Sequence, residues 1–213
     1  MSNKSKPYQH TNRISIRDRR IYIMEKIKET IRKVKASKLL KAEIAVAIIC
    51  LFFGTLLHFT YQWSNENLLV ASFSSVNESV WEHLKLTFYP MLFMAIVEYF
   101  WVKEIANNYI EAKTIGIFCS ISFIVVSFFT YTGIIGTNFL LIDILIFITS
   151  IILGEWIAYK LMKRKSESTT KSKILSTSII IFLLICFIVC TYFTPEVNLF
   201  RDFTTGVYGL GNV

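Results

Sequence analysis

Apolar residues in this chain gather into runs of about 20, the length a helix needs to cross a hydrocarbon core about 30 Å thick. The runs occupy residues 42–62, 79–102, 114–133, 138–160 and 174–194. They are continuous rather than alternating, which predicts helices and argues against a membrane barrel. Ahead of them, Ile16, Ile23, Ile27, Ile31 and Val34 recur at helical spacing among Arg17, Arg20, Lys28, Arg32 and Lys35. That pattern predicts a basic amphipathic helix over 14–41, of the kind that lies along a membrane surface. Residues 1–13 read as a disordered polar tail and 195–213 as a C-terminal tail. The expected fold class is all-α, a polytopic membrane protein of about five transmembrane helices plus the N-terminal basic amphipathic helix.

Charge refines this picture. Thirteen of the 23 Lys and Arg residues precede residue 42, and the net charge is +8. Connector 103–113 carries Lys103 and Lys113, and 160–173 carries Lys160, Lys163, Arg164, Lys165, Lys171 and Lys173. Segment 63–78 has Glu66 and Glu78 without a cation, and 134–137 has no charge. The positive-inside rule therefore predicts a cytoplasmic N-terminus and an extracytoplasmic C-terminus. Tyr61 and Trp63 would anchor the outer interface, and Trp101, Trp156 and Tyr159 the inner one. The basic helix predicts contact with anionic lipids rather than nucleic acid, since no nucleic-acid-binding module accompanies the charge. Its long charged start does not fit a cleavable signal peptide. Cys50, Cys119, Cys186 and Cys190 fall inside predicted spans and read as small apolar fillers, so no disulfide is expected. An odd number of spans without an internal repeat disfavours an inverted-repeat transporter in one chain; a homo-oligomer would supply that symmetry.

Chemistry concentrates in Ser75-Val-Asn-Glu-Ser-Val-Trp-Glu-His-Leu-Lys85, where ionisable residues open the second span. Charged side chains there are costly, so they are capped, paired or functional. His58 lies one turn inside the outer end of the first span, and Asp143 just over a turn inside that of the fourth. With Glu78, Glu82 and His83 they share one shallow layer under the predicted topology. Glu78, Glu82, Lys85 and Tyr89 form one helical stripe. Gly116 and Ser120 in the third span, and Ser150 and Gly154 in the fourth, form small-residue faces that let helices approach closely, which would turn Asp143 inward. Pro90 removes a helix hydrogen bond and leaves the Leu86 carbonyl without its usual donor.

Simple structural readings compete. Ser79-Val-Trp-Glu82 matches a capping box, and Glu78 suits the positive end of a helix. Lys85 can snorkel or pair with Glu82. His58 can be an interfacial histidine, and Glu98 and Glu155 can sit at the opposite interface.

Two functional readings stand beside them. In the first, His58, His83 and Asp143 hold a divalent metal such as zinc, with Glu82 and Glu78 as catalytic carboxylates and Asn77, Lys85 and Trp81 contacting substrate. This would be a metal-dependent intramembrane hydrolase acting on a lipid or lipid-linked substrate. In the second, the same carboxylates bind a cation or proton in a transporter or channel subunit, with Pro90 as hinge. A non-catalytic accessory protein, docked through the basic helix, is a third.

The strings His58-Phe-Thr-Tyr-Gln-Trp63, Phe73 through Lys85, and Tyr89-Pro90 resemble a family of small multi-span membrane proteins of Clostridia and other Firmicutes, a domain of unknown function. Tyr131-Thr-Gly133, Gly136, Asn138, Asp143 and the tail from Pro195 through Asp202 to Gly209 are similar too. The similarity spans roughly 42–210, and Asn77 to His83 is its most specific string. The resemblance implies a multi-pass protein of the bacterial cell membrane and carries no established activity.

Overall fold

The computed structural model describes residues 16–164 and 168–211; the tail expected over 1–13 and Lys165 lie outside them. The elements are α1 (Ile16–Trp63), α2 (Leu68–Ala71), α3 (Val80–Val102), α4 (Tyr109–Ile135), α5 (Leu140–Lys163) and α6 (Thr170–Tyr192). A 3₁₀ turn at Asn198–Phe200 and an antiparallel bridge between Arg201 and Tyr208 follow.

The amphipathic helix and the first span, expected as two elements, form the single helix α1. Lys38-Leu39-Leu40-Lys41-Ala42, between them, are all good helix formers, with no Gly or Pro to end the ladder. Two compact units are nevertheless distinct, up to Lys38 and from Leu39 onward. In the first, Ile23, Ile27, Ile31 and Val34 are exposed along the helix, and Lys33 pairs with Glu29 at 2.7 Å.

The second unit holds the core. Val46 and Cys50 of α1, Leu84, Phe88 and Met91 of α3, Ile117, Ile121 and Ile124 of α4, Ile151 of α5 and Phe187 of α6 pack together. The expected small-residue faces bring α4 and α5 close. A Cβ on Gly116 would lie 2.6 Å from the Gly154 carbonyl oxygen, and one on Gly154 would lie 2.7 Å from that of Gly116. Ser120 Oγ donates to the Ser150 carbonyl at 2.8 Å. On α1, Gly54 abuts the Leu86 carbonyl, the acceptor that Pro90 leaves without a helix partner.

Helices α1, α4, α5 and α6 each hold a stretch long and apolar enough to cross a membrane. Five such spans were expected, and α3 is the difference. It has 23 residues, about 34 Å of helix, but carries Glu82, Lys85 and Glu98. All three are buried against neighbouring helices rather than turned outward. The chain is a polytopic all-α membrane protein. Helix α4 also begins earlier than its apolar run, so Lys113, expected in a connector, lies buried inside a helix.

Candidate functional site

Asn67 caps the short α2, and Ser79 caps α3 by accepting the Glu82 N–H at 3.3 Å. The capping box is only half formed. The Ser79 N–H donates to Asn77 Oδ1 at 2.9 Å instead of to Glu82. Glu82 Oε2 accepts the Val76 N–H at 3.1 Å and Lys85 Nζ at 2.7 Å, and its Oε1 accepts the Thr191 hydroxyl at 3.3 Å. Lys85, with a side chain 0% exposed, also donates to the carbonyls of Ala71 at 2.8 Å and Ser74 at 3.3 Å.

Three expectations change here. The donors of the Lys85 ammonium are matched by acceptors inside the fold, so it has none left for a substrate. Glu82 is enclosed with both oxygens partnered and is not poised as a base. Trp81 is wedged between Phe187 and Phe200, at centroid distances of 4.7 and 4.8 Å, a packing position. Asn77 faces the tail, its Nδ2 donating to the Gly209 carbonyl at 2.7 Å.

The expected residues that do converge are His58, His83 and Glu78. His83 Nε2 lies 3.3 Å from Glu78 Oε2, and His58 Nε2 lies 3.8 Å from Glu78 Oε1. The two imidazole centroids are 5.2 Å apart. One ligand atom from each residue falls within 4.8 Å of the others. The Ser79 carbonyl sits 2.8 Å from His83 Nδ1 and can only accept, so Nδ1 carries hydrogen and Nε2 is turned toward Glu78. Hydrogen bonding to His83 holds the Glu78 carboxyl below the usual carboxylate range.

Asp143 is not in this group. Its Oδ1 accepts the Tyr131 hydroxyl and its Oδ2 accepts Asn138 Nδ2 at 3.1 Å, so it ties the α4–α5 connector. The group of ligand-capable side chains that come together is therefore His58, Glu78 and His83, with Glu78 in the place expected for Asp143. The shared level of His58, Glu78 and His83 along their helices was legible in the sequence. The direction each faces around its helix axis was not.

The tail closes on the same end of the bundle. Asp202 Oδ1 accepts the Thr204 hydroxyl at 2.5 Å and the N–H groups of Thr204 and Thr205 at 2.7 and 2.9 Å. Its Oδ2 accepts the Glu78 N–H at 3.2 Å. Burial alone would raise the Asp202 carboxyl, but these hydrogen bonds outweigh it and hold the group down at about 2.

A second cluster went unrecognised in the sequence. Lys113 Nζ of α4 lies 2.8 Å from Glu43 of α1, 2.7 Å from Glu98 of α3 and 2.6 Å from Glu155 of α5. The Tyr109 hydroxyl donates to Glu98 at 3.1 Å and to the Ala95 carbonyl at 2.7 Å. Glu98 and Glu155, for which an interfacial place was open, are buried here. Their signal in the sequence is weaker than at the first site: Glu43, Glu98 and Glu155 lie near the same ends of their expected spans, but Lys113 falls in a connector.

A family model described as a family of unknown function (DUF6512) matches residues 30–210. The chain belongs to that family, and the match reaches into the basic segment ahead of the first span. No curated protein and no solved structure matches the chain.

Proposed function

We propose that this family member binds a divalent metal ion through His58, Glu78 and His83, and that a metal-bound water hydrolyses a lipid or lipid-linked substrate at the extracytoplasmic membrane surface. The observation that carries this reading is the convergence of two imidazoles and one carboxylate with ligand atoms within 4.8 Å. Two nitrogens and one oxygen suit zinc and leave a fourth position for water. A metal lowers the pKa of such water toward neutrality and so supplies a nucleophile. The Ser79 carbonyl bound to His83 Nδ1 is the outer-shell acceptor that orients ligating histidines. With Glu82 enclosed, activation of the water rests on the metal itself. The distribution of Lys and Arg supports a cytoplasmic N-terminus, and the exposed apolar stripe among basic residues on α1 supports contact with anionic lipid.

A transporter coupled to a cation or proton is the second reading. The buried Lys113 cluster favours it, because intramembrane ionisable groups mark ion pathways.

Metal content of the detergent-purified protein tests the first. Wild type should carry near-stoichiometric zinc or manganese by mass spectrometry, lost in His58→Ala and Glu78→Gln. Asp143→Asn should retain it, since Asp143 is bound elsewhere. Folded wild type that takes up no metal from a zinc- or manganese-supplemented buffer would end this reading.

A further inference from the structure

The cluster around Lys113 is enclosed on every side. Glu43, Glu98, Glu155 and Lys113 are each at most 4% exposed. Three carboxylates surround one ammonium, so full ionisation would leave two negative charges in excess in a low-dielectric interior. An uncompensated buried charge is strongly destabilising, and such sites neutralise instead. No cation other than Lys113 forms an ion pair with these carboxylates among the described residues. The Cys50 thiol of α1 and the Tyr109 hydroxyl of α4, which lie beside the cluster, supply no positive charge.

Two further observations point to the missing species. Glu43 Oε1 and Glu98 Oε1 are buried with no hydrogen-bond donor. Lys113 Nζ lies 2.8 Å from Glu43 Oε2 and 2.6 Å from Glu155 Oε2, so one ammonium holds those two carboxylates side by side. Carboxylates gathered this closely in a buried site do not all ionise, as in paired-carboxylate sites that titrate as a unit. A cavity of about 600 Å³ lined by Tyr99, Lys103, Tyr109 and Lys173 adjoins this region. Tyr109 thus belongs both to the cavity wall and to the hydrogen bonds of Glu98.

We propose that the Lys113 cluster is a proton-binding site, in which exchangeable protons are held among Glu43, Glu98 and Glu155 beside the Lys113 ammonium. The site is independent of the metal reading. It gives the protein a buried group that can take up and release H⁺ at the end of the bundle opposite His58 and His83.

Infrared spectroscopy of the full-length protein in lipid vesicles at neutral pH is the test. Wild type should show the carbonyl stretch of a protonated carboxylic acid, shifted by D₂O and by ¹³C-labelled glutamate. The band should weaken in each of Glu43→Gln, Glu98→Gln and Glu155→Gln, where an amide replaces an acid without needing a proton. Asp143→Asn should leave it unchanged. Absence of a glutamic acid band in wild type overturns the proposal even if a variant fails to fold. So does a band that D₂O leaves in place, or one of undiminished strength in all the folded glutamine variants.

Discussion

Lys85 and Glu82 show how far a single side-chain pair can be committed to the fold. Their side chains are 0% and 3% exposed, and the ammonium reaches two backbone carbonyls besides the carboxylate. Those carbonyls belong to the α2 region, so Lys85 pins that segment to α3. Removing one partner of a buried pair leaves the other charge uncompensated, which typically costs about 3–5 kcal/mol. Lys85→Met should therefore lower the unfolding midpoint in detergent strongly, and adding Glu82→Gln should recover part of the loss. Equal midpoints for the single and double variants would show that the two groups are not coupled. At the other pole, the Glu78 side chain is half exposed and its backbone N–H is held by Asp202. Its carboxylate is thereby left facing the two histidines.

At the scale of elements, α4 and α5 approach through Gly116 and Gly154 because no side chain stands between their backbones. Without a hydrophobic drive between helices in lipid, such close packing and interhelical hydrogen bonds hold membrane helices together. Gly154→Ala gains up to about 1 kcal/mol in helix propensity. It also places a methyl group 2.7 Å from the Gly116 carbonyl oxygen and 2.9 Å from Met91 Cε. Overpacking of this kind costs about 1–3 kcal/mol, so the steric effect should win. A lowered melting temperature in detergent is the expected result, and an unchanged or raised one would show that the two helices separate freely. In α3 the interior Pro90 does not end the helix, and Gly54 of α1 packs where the Leu86 carbonyl is left without its helix donor.

Across the second unit, ionisable residues gather at opposite ends of the bundle while the middle is apolar. One end joins His58, Glu78 and His83 and is covered by the tail, which packs Phe200 on Trp81 and Phe203 on Phe128. The other end holds Lys113 and its three carboxylates. Asp202 fastens the tail through its own turn and through the Glu78 N–H. Hydrogen bonds to charged groups contribute about 1.5–3 kcal/mol each, so losing this carboxylate should raise local opening of the tail by at least about tenfold. Limited proteolysis of Asp202→Ala should cut residues 195–211 faster than in wild type while the helices stay protected. Equal rates would mean that the aromatic contacts alone hold the tail.

What the sequence determined by itself is what local physics decides. Run length and continuity specify membrane-length helices, and apolar residues at helical spacing among Lys and Arg specify helix where α1 begins. The Gly and Ser spacing marks the faces on which α4 and α5 meet. Depth along each span was also legible, because rise per residue is constant, and it drew His58, Glu78 and His83 to one level. Partner choice was not, because it depends on how each helix is rotated and on contacts between distant residues. Asp143 was expected at the same level, but Tyr131 of α4 and Asn138 of the α4–α5 connector capture it. Glu82 and Lys85 had the right spacing to pair, yet only the fold of segment 71–76 encloses them and removes them from chemistry. Lys113 read as a loop cation because its neighbours in sequence are polar. Tertiary packing alone set it among Glu43, Glu98 and Glu155, where burial turns a charge that would mark topology into the centre of a proton site.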